Sequence, residues 1–282
     1  MQVVQRKGYY YLAHTFRKAG KPTHREMYMG KEVPEDIEQL KELFFRRILM
    51  EEAFVKLAAI KRNFRKQWKT YPETVKKKIL LDFSIDFTYN TNAIEGSTIT
   101  KDETQELLEK KIAPRKPLQD ILETIAHSKV FLDALNEKKE LSEQLILEWH
   151  LQLFKETKQD IAGQVREYRV RVGEYRAPDW QDVPKLLKDF FIWHGKSKKS
   201  MHPVELAARA HYKFEKIHPF GDGNGRVGRL IIAHILKKGE YPLLIIEYKR
   251  RKAYYRALQK TENDFVHYLI KRYVTRHKEF LI

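Results

Sequence analysis

Between His218 and Arg229 the chain reads His-Pro-Phe-Gly-Asp-Gly-Asn-Gly-Arg-Val-Gly-Arg, and these residue types are the ones that chemistry at a phosphorus centre requires. Val204, Ala207, Ala208, His211, Phe214 and Ile217 share one helical face, and Pro219 must stop that helix just after His218. His218 is thereby presented at a helix end, where an imidazole of ordinary pKa (~6.5) can take a proton from a hydroxyl near neutral pH. Gly221, Gly223 and Gly225 give the next segment the freedom to curl, and Arg226 opens a new apolar helix through Leu230, Ile231 and Ile232. A loop that runs into a helix N-terminus offers backbone N–H groups and a positive dipole end to an anion such as pyrophosphate. Asp222 is a hard oxygen ligand suited to Mg2+ beside that anion. Arg226 and Arg229, three residues apart, can clamp phosphate oxygens from one helix face. A base, a metal ligand, an anion hole and two guanidinium groups suffice for attack on phosphorus.

The remainder of the 282 residues must hold this loop. Hydrophobic residues make up 42% and charged residues 33%, a globular balance. No apolar run approaches the ~20 residues that span a bilayer, and the first residues lack a signal-peptide core, so a cytoplasmic, membrane-free protein is expected. The absence of cysteine excludes disulfides, thiolate catalysis and cysteine-ligated metals. A formal charge of +17 favours polyanionic partners without choosing among them. Residues 3–30 read as a small β-hairpin around Lys18-Ala19-Gly20-Lys21. A helix, broken once, follows from Pro34 to about Lys69, and another opens at Pro72 with Val75, Ile79, Phe83, Ile85 and Phe87 as its buried stripe. Thr100 and Glu103 have capping-box spacing for a helix over 101–112. Helices are expected over 117–136, 142–157, 183–195, 203–217 and 226–238, and over 250–280 in one or two pieces. Tyr168 to Val172, followed by Gly173, reads as a short hairpin. The expected organisation is an N-terminal hairpin appendage (1–33), a helical region (34–114) and a core (115–282), mainly α throughout.

His218 to Arg229 resembles the signature of the Fic family, H-x-F-x-[DE]-G-N-G-R-x-x-R, with every specified position filled. At ~5% per specified residue, a chance match is on the order of one in 10^10 per window. The helix into His218, the segment from Gly163 to Pro178 and Tyr254 to Leu258 are also similar to what surrounds the motif in Fic domains, so the likeness covers roughly residues 115 to 265. It implies a helical Fic core with a β-hairpin flap that transfers AMP from ATP, with Mg2+, to a Ser, Thr or Tyr hydroxyl of a protein. By the family pattern His218 is the base, Phe220 anchors the loop and Asp222 binds Mg2+. Gly221, Gly223, Asn224, Gly225, Arg226 and Arg229 then bind the triphosphate. Doc-like relatives, which move a phosphoryl group, carry lysine where this chain has Gly225; the resemblance is to the AMP-transferring kind.

Thr91-Asn92-Ala93-Ile94-Glu95-Gly96 fits the family's inhibitory pattern [ST]-x-x-x-E-[GN] at the end of the helix over about 72–96. Glu95 is expected to form a bidentate pair with Arg229, displacing the triphosphate and holding the enzyme off. In some relatives the same glutamate positions water to remove AMP, so de-AMPylation is the alternative activity. His211, Glu215 and His218 have helical spacing for a metal trio, but His211 belongs to the apolar stripe. A different class of function, a nucleic-acid-binding regulator, rests on the basic aromatic runs 61–66 and 248–252. The expected partner is a protein target, the chain itself included; nucleic acid is less favoured, and homo-oligomerisation stays open.

Overall fold

The computed structural model describes residues 1–18 and 21–282, so two residues of the anticipated N-terminal turn, Ala19 and Gly20, lie outside the described residues. The described chain forms two compact units, Met1–Ala59 and Ile60–Ile282. The first holds an antiparallel sheet in the order β1 (Gln2–Arg6), β2 (Tyr9–Lys18), β3 (Lys21–Gly30). The anticipated hairpin is β2–β3; β1 adds a third strand, because Lys7 and Gly8 both take positive φ (49° and 78°), as a two-residue hairpin turn demands. One sheet face packs on the first half of α1 (Ile37–Thr70) through Leu12, Phe44 and Ile48, with Met27 and Met29 against them. The expected break in this helix is not there, since neither glycine nor proline occurs between 37 and 70.

The second unit is helical. α2 (Glu73–Ile94) buries its C-terminal half, whereas Val75, in its first turn, is exposed rather than part of the stripe. The capping box forms: the Thr100 N–H donates to the Glu103 carboxylate at 2.8 Å and the Glu103 N–H to the Thr100 hydroxyl at 3.3 Å. The helix it starts, α3 (Lys101–Gln105), widens into a π-turn over Glu106–Lys110, and Lys111 ends it at φ 61°. α2, α4 (Leu118–Asn136), α5 (Glu143–Phe154) and α7 (Pro203–Ile217) pack against α8 (Asn224–Lys238), and α6 (Val183–Ser197) packs on α7. From Val227 to Leu236 every residue of α8 is buried, which marks it as the central helix. The flap is a minimal hairpin, β4 (Arg171–Val172) and β5 (Tyr175–Arg176), turning at Gly173 with φ 58°. α9 (Arg251–Leu258) and α10 (Glu262–Arg276) complete the unit as two pieces. Among the described residues no helix is long and apolar enough to cross a membrane.

Candidate active site

α7 ends at His218, which caps it in the left-handed region (φ 51°, ψ 60°) while its N–H closes on the Phe214 carbonyl at 2.9 Å. A non-glycine residue held there stores local strain, a cost found mostly at functional positions. Arg166, nearly fully buried, fixes this corner. Its Nε donates to the His218 carbonyl (2.8 Å), its two terminal nitrogens to the carbonyls of Tyr168 and Pro178 (2.7 Å each), and its backbone N–H to Pro219 (2.9 Å). One planar guanidinium thus ties both ends of the flap segment to the histidine corner. Burial lowers the His218 pKa to about 4, so its ring is neutral at physiological pH, the state a proton acceptor needs.

The loop is held from below. Phe220 is fully buried and its ring stacks on His150 with centroids 3.9 Å apart and planes at 10°. His150 Nδ1 accepts the Gly163 N–H (2.9 Å), which puts the imidazole proton on Nε2, where it donates to the Asp222 carbonyl (2.9 Å). Burial holds this ring neutral as well, at about 4, preserving that tautomer. Asn224 accepts the Phe220 N–H (2.9 Å) and donates to the Phe220 carbonyl (2.8 Å). Its side-chain amide therefore closes the loop and is engaged within the protein. Gly223 has φ 83°, and a Cβ there would press within 2.7 Å of the Phe154 ring. No side chain caps α8, so its first-turn N–H groups are left for a ligand.

Glu95 lies over that turn. It follows the last residue of α2 as its C-cap, and Gly96 (φ 95°) carries the chain away. Glu95 Oε1 stands 2.5 Å from Arg229 Nη2, which also meets the Thr91 carbonyl at 3.4 Å. The expected bidentate pairing is not formed: Glu95 approaches from the helix end with one oxygen on one nitrogen. Arg229, 1% exposed, is left with Nε and Nη1 unpartnered. The Glu95 carboxylate also fills the space of a Cβ at Gly225. His218, Arg229, Glu95, Gly225, Tyr175 and Tyr255 line one cavity of about 410 Å³.

On the other side of Glu95 a smaller polar cavity, about 120 Å³, is lined by Asp222, Glu123, Lys158 and Arg226 among others. Burial would raise the Asp222 pKa, but Arg226 at 3.2 Å and Lys158 at 2.5 Å outweigh it and hold the carboxyl at about 2. Arg226 lies over the Phe154 ring, 4.3 Å from its centroid, and pairs with Glu123 as well as Asp222. Lys158 joins Glu123 at 3.1 Å. Arg226 is thus engaged within the protein and must exchange partners to meet a phosphate. As a metal site, the geometry fits a cation held by the single Asp222 carboxylate and by nucleotide oxygens: Lys158 already marks a cation position on Asp222. It does not fit a protein cage, since no cluster of three potential ligands occurs among the described residues. His211, within the trio considered above, is fully buried and its Nε2 meets the Tyr254 hydroxyl at 2.8 Å.

The predicted residues His218, Phe220, Asp222, Asn224, Gly225, Arg226, Arg229, Thr91, Glu95 and Gly96 come together at this one place. Gly221 lies at its edge, packed beneath the Tyr168 hydroxyl and lining a separate recess. Sequence reasoning missed Glu123, His150, Lys158 and Arg166, single polar residues on distant elements with no local pattern to announce them; Glu215 was noticed only as a member of the trio with His211 and His218, not as a buried acid beside Arg229.

Residues 140–236 match the model of the Fic/DOC family. The chain is 35% identical over 176 residues to the protein adenylyltransferase Fic of Drosophila ananassae, a match covering 61% of this chain and 35% of that protein. It is 31% identical over 213 residues to protein adenylyltransferase fic-1 of Caenorhabditis elegans, covering 73% of this chain and 42% of the other. The solved structure of Fic-1 from C. elegans aligns with a TM-score of 0.74 at 26% identity, over 88% of this chain and 78% of that one. The chain belongs to the Fic/DOC family and carries its helical fold. It spans about a third to a half of the length of the curated relatives it matches.

Proposed function

We propose that this chain is a protein adenylyltransferase that moves AMP from ATP to a hydroxyl of a protein, itself among the candidate targets, and that Glu95 holds it off. One observation carries the reading: beside the uncapped N-terminus of α8, the buried guanidinium of Arg229 has two unpartnered nitrogens and a third held by Glu95. Buried donors without acceptors are costly, and a triphosphate supplies both the acceptors and the charge. His218 takes the proton of the target hydroxyl as its oxygen bonds to the α-phosphorus. The bond from that phosphorus to the β-phosphate bridging oxygen breaks, and pyrophosphate leaves from the α8 end. Bound at Asp222, Mg2+ supplies charge neutralisation for the phosphates. The exposed edge of β4–β5 is suited to hold a target segment by strand addition.

With Glu95 in place, its carboxylate and a phosphate compete for Arg229 and for the space over Gly225. A misplacement of ~1 Å can cost about 100-fold in rate, so a displaced triphosphate is an unproductive one. Glu95→Gly protein incubated with labelled ATP and Mg2+ is expected to gain AMP on itself or on an extract protein, and His218→Ala in that background to lose it. Unchanged labelling on Glu95→Gly would overturn the switch, and labelling that survives His218→Ala would overturn the base. AMP removal is a second reading, favoured by the partial exposure (26%) of Glu95 while it lines both cavities, where it can hold water. Release of AMP from a pre-modified target, lost on Glu95→Ala, would favour it.

A further inference from the structure

A second cavity of the second unit, about 480 Å³, involves none of the residues of the active site. Its wall is apolar and aromatic. Phe64 and Trp68 come from the end of α1, Ile79, Leu80 and Phe83 from α2, and Phe280 from the segment after α10. Phe64 packs against Trp68 with the rings tilted by 30° and meets Phe280 edge-on, both at 5.6 Å between centroids, so the aromatic side is pre-packed. That volume falls within the ~300–1,000 Å³ of small-molecule pockets.

Lys69, Lys237 and Arg276 also line it, are exposed, and make no ion pair with any described residue. Of the two acids on the lining, Glu240 pairs with Arg65 at 3.3 Å, whereas Glu279, 4.0 Å from a His277 that burial keeps neutral, stands alone against the three cations. The uncompensated charge around the opening is therefore positive. The wall also holds one buried polar atom without a partner, Nε2 of His277, and buried polar groups left unsatisfied in a native structure call for an explanation.

We propose that this cavity is a binding site for an amphipathic monoanion, an apolar chain or aryl body ending in a carboxylate. The body lies between Trp68 and the α2 residues Leu80 and Phe83, and the head group faces Lys69, Lys237 and Arg276. Three cations beside an apolar chamber separate this class from neutral hydrophobes, which gain burial but no charge pairing, and from nucleotides, whose polyphosphate would carry excess charge into an aromatic wall. The site is independent of the transferase reading, because it shares no residue with it.

The test is isothermal titration of the full chain with sodium decanoate, with indole-3-acetate and with decanol, each below its aggregation concentration. Saturable binding of one anion per chain is expected, with decanol at least about tenfold weaker. The stronger of decanoate and indole-3-acetate tells whether an alkyl chain or an aryl acid is the better body. Lys69→Gln with Arg276→Gln should weaken the anion about tenfold and leave decanol unchanged. Leu80→Trp, which fills the chamber, should abolish both; the charge-removing pair keeps the question open to measurement if that variant does not fold. Absence of saturable binding, equal affinity for decanol, or anion affinity untouched by the charge-removing pair would each overturn the proposal.

Discussion

Oε1 of Glu95 sits 2.5 Å from Nη2 of Arg229 and, at the same time, in the volume that a Cβ on residue 225 would occupy. Residue 225 and Glu95 are consequently coupled. Gly225→Ala should destabilise the otherwise unchanged chain and cost less once Glu95 is glycine, because the nearest colliding atom is then gone and only the Arg229 terminal nitrogens, 3.0 Å away, remain. A double-mutant cycle by urea unfolding should give an interaction energy of about 1–2 kcal/mol. Additive changes would mean that the carboxylate is not held over the helix in solution.

Arg166 makes its three side-chain hydrogen bonds to three carbonyls in fixed directions, which an ammonium cannot reproduce. Arg166→Lys in a Glu95→Gly background is expected to lower AMP incorporation by about 10- to 100-fold through misplacement of His218 and the flap. ATP affinity should change less than twofold, since no phosphate contact is assigned to Arg166. Equilibrium nucleotide binding and initial rates separate the two.

Asn224→Ala removes both hydrogen bonds that span the Phe220 backbone and leaves a buried N–H and C=O without partners. Loss of stability of about 2–4 kcal/mol is expected, read as a shift in the urea midpoint at unchanged slope. Asn224→Asp keeps the acceptor, loses the donor and sets a carboxylate oxygen against the Phe220 carbonyl, so it should be no better than alanine.

Glu215, buried beside Arg229 and His218, has its carboxyl pushed up to about 8 by burial, which outweighs the pull of Arg229. Between the unfolded value near 4.5 and 8 the folded state therefore binds a proton that the unfolded chain has released, and stability falls as pH rises through that window. Glu215→Gln, a mimic of the protonated acid, should be more stable than the parent at pH 8 by on the order of 1–3 kcal/mol, with the difference vanishing near pH 4. Parallel midpoints at all pH values would show Glu215 ionised in the fold.

Acid acts in the opposite sense through the histidines. Burial lowers His194, His202 and His277 to about 4 and His211 to about 3, so between pH 6.5 and 4 the unfolded chain takes up protons that the folded one refuses. Stability present above pH 6.5 should be lost steeply as pH falls toward 4. Replacing exposed-surface acids would not remove that slope, whereas His194→Gln should flatten it, as followed by circular dichroism in urea at stepped pH.

The loop was legible because its parts are contiguous: proline stops a helix, glycines free the turn, and Asp222 and Arg226 sit at fixed offsets. Helix positions were legible for the same reason, with α7 beginning and ending where the apolar period and Pro203 and Pro219 place it. What sequence did not reveal is the support. Glu123 on α4, His150 on α5 and Arg166 before the flap are each one polar residue whose partner between His218 and Arg226 lies 52 to 103 positions away. Helical periodicity says which face is buried and nothing about which buried atom meets which. The single-oxygen contact of Glu95 was missed likewise, because it depends on the angle at which α2 ends.

The carboxylate on Arg229 comes from the same polypeptide, so the blocked state proposed for the enzyme would be a first-order property. Linked groups meet at an effective concentration in the millimolar range or above, which free carboxylates in solution do not match. Dilution leaves the balance where it is, and only a ligand that itself prefers one arrangement of Glu95 can move it.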